Sequence, residues 1–116
     1  MQMKVINDYK NDDPNPIELL VGDTVKLGET SNPNGPYPNW VFCTSERTGR
    51  VGWVAVHTLK MENGIGTVLE ESTSKEMTVC AGDIIDTLRE LNGWYWSIRK
   101  SDDETGWVAK DNLIDI

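Results

Sequence analysis

The chain has 116 residues, with 11 Lys and Arg against 19 Asp and Glu and a formal net charge of −8. That balance repels phosphate backbones and anionic bilayer surfaces, which argues against nucleic acid and membrane as partners and leaves basic ligands as the charge-matched class. No apolar run is long enough to cross a bilayer, Met1-Gln2-Met3-Lys4 opens on strand-like sequence without an apolar signal core, and the two cysteines suit a reducing compartment, so the expected location is cytoplasmic.

In chain order the sequence predicts strands and turns. Residues 4–9 are compatible with a first strand, and Asn11-Asp12-Asp13-Pro14-Asn15-Pro16 is a dense loop signal. Ile17-Glu18-Leu19-Leu20 ends at Gly22-Asp23, and Val25-Lys26-Leu27 alternates as a half-buried strand does. Residues 29–39 contain three prolines and one glycine and read as a long irregular loop. Residues 40–44 and 50–56 form two strands around a polar hairpin, and Met61-Glu62-Asn63-Gly64 reads as a linker. A second series follows, with strands predicted at 67–69, 84–91, 94–99 and 105–108, a polar loop at 70–76, and Met77-Thr78-Val79 alternating towards Gly82-Asp83. Leu88-Arg89-Glu90-Leu91 has helical potential, but its register with Thr24-Val25-Lys26-Leu27 favours strand.

The second series repeats the first. Gly22-Asp23-Thr24-Val25 recurs as Gly82-Asp83-Ile84-Ile85, and Gly52-Trp53-Val54-Ala55 as Gly106-Trp107-Val108-Ala109. Trp40 precedes Trp53 by 13 residues, and Trp94 precedes Trp107 by the same 13. Short strands with turns every 8–12 residues or so indicate an all-β barrel or sandwich. The expected organisation is two units, residues 1–62 and 63–116, each marginal alone and therefore packed against the other. Cys43 and Cys80 lie among apolar or β-prone residues, as small core thiols do, and Trp53, Trp96 and Trp107 are expected to pack the barrels.

Each copy resembles an SH3 domain. Val5-Ile6-Asn7-Asp8-Tyr9 is similar to the family's opening strand, and Ile17-Glu18-Leu19-Leu20-Val21-Gly22-Asp23 to its diverging turn. Trp40-Val41-Phe42-Cys43 follows as the Trp strand, and Gly52-Trp53-Val54-Ala55-Val56-His57-Thr58-Leu59 as the closing segment. Glu76–Asp83, Trp94-Tyr95-Trp96-Ser97 and Gly106–Leu113 repeat that order. The whole resembles small bacterial proteins built from tandem variant SH3 domains. It implies an all-β fold of two tandem SH3-like small β-barrels and a protein or peptide ligand. The chain is expected to be a monomer or a weak homo-oligomer.

The resemblance also implies a site. Trp40 takes the place of the groove Trp and Tyr9 that of the second Tyr, while Asp12 and Asp13 lie in the acidic loop that would receive a basic ligand residue. Ala55, His57 and Thr58 stand where the family has Pro, Asn and Tyr, and Asn7 where it has the first Tyr. In the second copy Trp94 remains, with Ala109, Asp111 and Asn112 at the other positions. Binding is expected at Trp40 and not at Trp94. Polyproline II segments suit such a groove because they are extended before they dock.

No nucleophile–base set is present: His57 is the sole histidine, and neither cysteine has an activating neighbour in sequence. The carboxylate pairs sit at loop tips, and no cluster of metal-ligating residues is evident, so no enzyme activity, metal or cofactor is expected. Two other readings stand beside the peptide-binding one: an assembly protein with its groove positions buried, and an SH3-like cell-wall-binding module.

Overall fold

Alternation of apolar and polar residues produces the strands, and Gly-containing turns end them. A computed structural model of residues 1–116 has twelve strands, two short 3₁₀ turns and no α-helix. No helix is long and apolar enough to cross a membrane.

The first compact unit in space is continuous in sequence, Asn15–Ser74. It contains β2 (Glu18–Leu19), β3 (Thr24–Thr30), β4 (Trp40–Ser45), β5 (Val51–Ala55), a 3₁₀ turn (Val56–Thr58), β6 (Leu59–Glu62), β7 (Ile65–Val68) and β8 (Ser72–Thr73). Its five-stranded sheet runs β5-β4-β3-β7-β6, and β2 pairs with β8. Ile17, Leu19, Val25, Val41, Cys43, Val54, Leu59 and Val68 form its core.

The second unit is split in sequence, Met1–Pro14 with Lys75–Ile116. It contains β1 (Gln2–Val5), β9 (Ile84–Leu91), β10 (Trp94–Arg99), β11 (Thr105–Ala109), a 3₁₀ turn (Lys110–Asn112) and β12 (Leu113–Asp115). Its sheet runs β11-β10-β9-β1-β12, the order of the other sheet with β1 in the place of β7. Met3, Val5, Met77, Val79, Ile85, Val108 and Leu113 form its core.

The units therefore differ from the expected division at 62/63. The physical reason lies in the segment read as a linker. Glu62 pairs with Ile65 across Asn63-Gly64, whose φ angles are 49° and 80°. Two residues in that left-handed region make the tight hairpin turn that matches strand twist, and Asn-Gly is its strongest sequence signal. The turn folds β7 straight back onto β6, and β7 occupies the position between β6 and β3. The repeat would have assigned that position to β1, which lies instead between β9 and β12.

The repeated Gly-Trp-Val-Ala motif has a steric cause. A Cβ on Gly106 would stand 2.8 Å from the Met77 backbone nitrogen, and one on Gly52 would stand 2.6 Å from Ser74 Oγ. Each glycine lets one arm of a neighbouring loop cross a strand at close range. Residues 84–91 form a strand as expected. Two expectations fail. Cys43 is buried but Cys80 is exposed, because it lies in the turn before Gly82. Trp53, Trp96 and Trp107 lie outside the two buried cores: Trp53 is 40% exposed, Phe42 and Trp53 meet edge-to-face at 5.4 Å, and Trp96 and Trp107 at 5.3 Å.

Candidate functional site

The sequence-predicted site residues fall into two groups. Tyr9, Asp12, Asp13 and Trp94 belong to the split unit, whereas Trp40, Ala55, His57 and Thr58 belong to the continuous one. Tyr9 and the acidic loop are thus assigned with Trp94, not with Trp40.

In the continuous unit the groove positions are closed. Trp40 is only 9% exposed. Its backbone N–H donates to Ser31 Oγ at 3.0 Å, and Ser31 N–H donates to the Trp40 carbonyl at 2.8 Å, so the proline loop is pinned to the start of β4. Ala55 and Thr58 are buried at 2% and 1%. The Thr58 hydroxyl donates to the Ala55 carbonyl at 2.7 Å and closes the 3₁₀ turn. Neither side chain can reach a ligand. Of these positions His57 alone is exposed. Ser72, which pairs with Leu19, stands where Tyr9 stands opposite Val79 in the other unit, so no aromatic wall is present at that position.

In the split unit the same positions are open. Trp94 starts β10 directly after the Asn92-Gly93 turn, is half-buried, and pairs with Ala109. The following 3₁₀ turn is held by Lys110 N–H donating to the Gly93 carbonyl at 2.9 Å. Asn112 then meets Asn7 twice: its amide donates to the Asn7 carbonyl at 3.0 Å and its Oδ1 accepts from Asn7 N–H at 2.9 Å. Two residues on, Tyr9 is 41% exposed. It forms a backbone bridge with Val79, and its hydroxyl donates to Glu76 Oε2 at 2.8 Å. Trp94 is thus paired with Ala109, which leads through the 3₁₀ turn to Asn112; Asn112 bonds Asn7, two residues before Tyr9, and Tyr9 bonds Glu76.

The acidic loop is ordered by one residue. Asn11 Nδ2 donates to the Glu76 carbonyl at 3.0 Å, Asn11 N–H donates to Thr78 Oγ1 at 3.0 Å, and Asn11 Oδ1 accepts from Asp13 N–H at 3.0 Å. Asp12 and Asp13 are exposed at the loop, and Glu76 adds a third carboxylate on the facing arm. Glu76 and the Asn7–Asn112 pair were not among the expected site residues. The signal for the pair was Asn112 alone, whose side-chain amide can donate to and accept from one main-chain residue at once.

The diverging turns are built alike. Asp23 Oδ2 accepts from Leu20 N–H at 3.0 Å, and Asp83 Oδ2 accepts from Cys80 N–H at 2.9 Å. The Arg47 guanidinium hydrogen-bonds Asp23, which, with the Leu20 N–H, holds that carboxyl below its ordinary range. Arg99 spans Asp102 at 3.0 Å and Asp83 at 3.4 Å and holds the Asp102 carboxyl low in the same way. Burial pushes the Cys43 thiol up to about 11. No group of three or more His, Cys, Asp or Glu side chains is arranged to hold a metal ion.

The family model described as the variant SH3 domain matches residues 2–55. The match is continuous in sequence, yet residues 2–14 of it lie in the split unit and 15–55 in the continuous unit. No curated protein and no solved structure matches the chain.

Proposed function

We propose that the chain is a non-catalytic protein- or peptide-interaction module made of two variants of one SH3-like fold, and that the split unit is the one that binds. The ligand is an extended, proline-containing segment with a basic residue. It lies along Trp94, Ala109, Asn112, Asn7 and Tyr9, with its basic residue towards Asp12, Asp13 and Glu76. The observation that carries this reading is the contrast in exposure: Tyr9 is 41% exposed and Trp94 half-buried beside an acidic loop, whereas Trp40 is 9% exposed. The variant SH3 match over residues 2–55 supports it, since SH3 domains are generally protein-interaction modules.

A polyproline II segment loses little entropy on docking, and a carboxylate cluster at one end gives it direction. Only two aromatic walls flank the line, and the polar Asn7–Asn112 pair lies between them. Affinity is accordingly expected to be weak, with a Kd of about 0.1–1 mM. The continuous unit has a structural role on this reading, because its groove positions are closed.

The test follows the five Trp indole N–H signals during NMR titration with an arginine-containing Pro-x-x-Pro peptide. The Trp94 signal should move while the Trp40 signal stays, and Trp94→Ala should abolish the shifts of neighbouring amides. Movement of Trp40 alone would overturn the reading. If no indole moves at millimolar peptide, the assembly reading takes its place.

A further inference from the structure

The slot between β9 and β12 is filled by a strand from the far end of the chain, and the slot selects that strand by size and charge. The two strand slots of the molecule can be compared position by position. Thr87 N–H donates to the Met1 carbonyl at 2.8 Å, and Leu27 N–H donates to the Gly64 carbonyl at 2.9 Å. Val5 N–H donates to the Asp83 carbonyl and Val68 N–H to the Asp23 carbonyl, both at 2.9 Å. By this register Met3 corresponds to Gly66, and Thr87 to Leu27.

The sizes are reversed between the slots. In the split unit a large strand residue, Met3, is 7% exposed and lies opposite Ile85, with the small Thr87 two residues further along the same strand. In the continuous unit the strand residue is Gly66, and a Cβ there would stand 3.0 Å from Val25 Cγ2 and 3.1 Å from Leu27 Cδ2. Met3 placed at Gly66 would collide with the Leu27 side chain, and Gly66 placed at Met3 would leave a cavity in the core. Charge acts in the same sense. Lys4 lies opposite Ile114, but in the other slot its partner would be Lys60, which now faces Thr67. Like charges directly opposite on antiparallel strands are destabilising. The Met1–Pro14 arm therefore has one kind of slot.

The arm joins the continuous unit through Asp12-Asp13-Pro14-Asn15-Pro16. Each proline fixes its own φ and biases the residue before it towards extended backbone, so this hinge favours an arm held away from the following chain. Nothing in the slot requires the arm to come from the same molecule. We propose that the β9/β12 slot is a strand-acceptor site selective for the Met1–Val5 sequence. It also takes the arm of a second copy of this chain, giving a symmetric dimer in which each copy supplies Tyr9, Asp12 and Asp13 to the other. Every strand pair of the monomer is kept in such a dimer, so the balance is set by the hinge and the tether. A short tether confers an effective concentration of about millimolar at most, less where its stiffness disfavours closure, and exchange becomes appreciable as protein concentration approaches it. The proposal does not depend on the peptide-binding reading.

The experiment unfolds a mixture of two isotope-labelled forms of the full chain and refolds it at micromolar and at millimolar concentration. Light scattering and native mass spectrometry then read the dimer fraction. The expected result is a mixed-label dimer whose share rises with concentration, with interchain nuclear Overhauser contacts from Met3 to Ile85. Absence of dimer at millimolar concentration, or a dimer with only intrachain Met3–Ile85 contacts, overturns the proposal. Selectivity is read separately. Thr87→Leu should weaken docking of the arm in monomer and dimer alike, read as about tenfold faster amide hydrogen exchange at Val5, whose N–H donates to the Asp83 carbonyl, and adding Met3→Gly should restore the protection. A double variant no better than the single would overturn selection by size.

Discussion

The Tyr9 hydroxyl donates to the Glu76 carboxylate across 67 positions of sequence. The bond ties the N-terminal arm to the facing arm of the same loop, beside the residues Asn11 organises. Because it is exposed, its loss should cost little. Tyr9→Phe is expected to lower stability by no more than about 1 kcal/mol in urea denaturation. The same change should loosen the acidic loop, seen as faster amide hydrogen exchange at Asn11 and Thr78.

Gly64 tests the turn that directs β7. A Cβ there meets nothing within 4 Å, and its φ is +80°. Gly64→Ala should therefore destabilise the chain by conformation alone, about 1–2 kcal/mol, measured as a lower urea midpoint at unchanged slope.

Gly106 tests a different principle. Its added methyl would press on the Met77 backbone at 2.8 Å, and backbone cannot swing aside as a flexible side chain can. Gly106→Ala is expected to cost about 1–3 kcal/mol. It should also displace the Glu76-Met77 segment and so shift the Tyr9 ring signals. A Gly106→Ala chain of wild-type stability would show that the loop arm is not held against β11.

The two thiols should differ in reactivity. Cys80 is exposed, while Cys43 is buried with its pKa raised to about 11. At neutral pH a maleimide should label Cys80 rapidly and Cys43 only after denaturation. Equal labelling of both in the native chain would contradict the packing of β4.

Acid should weaken the diverging turn. The folded Asp23 carboxyl lies below its ordinary value of 3.8, first through its hydrogen bond from Arg47 and then through that from Leu20 N–H. A group with a depressed folded pKa contributes stability above its unfolded pKa and loses it as pH falls through the folded one. The wild-type urea midpoint should therefore fall as the pH drops below that ordinary value. The fall should be smaller in Asp23→Asn. An identical pH profile for the two chains would exclude Asp23 as a source of the dependence.

Much of the fold was legible in the sequence. Strand alternation, the Trp spacing and the repeated Gly-Asp turns place the central strands of both sheets, including residues 84–91, but not β6, β8 or β12, which were read as linker, loop and closing segment. Their partners were less legible, because β1 and β7 are equivalent members of a repeat and periodicity does not distinguish which sheet each enters. The deciding signal was local: Asn63-Gly64 lies between two strand-like segments and is a hairpin turn, not a linker. The candidate site inherited the same ambiguity. Once β1 moves to the other sheet, Tyr9 and Asp12-Asp13 move with it, into the unit that contains Trp94. The burial of Trp40 had no sequence signature, since it occupies the same motif position as Trp94.

The two ends of the continuous unit are bonded to each other: Ile17 N–H donates to Ser74 Oγ and Ser74 N–H to the Ile17 carbonyl, each at 3.0 Å. In sequence the continuous unit is therefore an insertion between the two parts of the split one. Any fragment cut at the apparent repeat boundary would carry an orphan strand and lack its own. Excision of Asn15–Ser74, with Pro14 rejoined to Lys75 through a short turn, would instead leave each remaining strand beside its native neighbours. For this chain, the natural scissors lie at the loop tips and not between the copies.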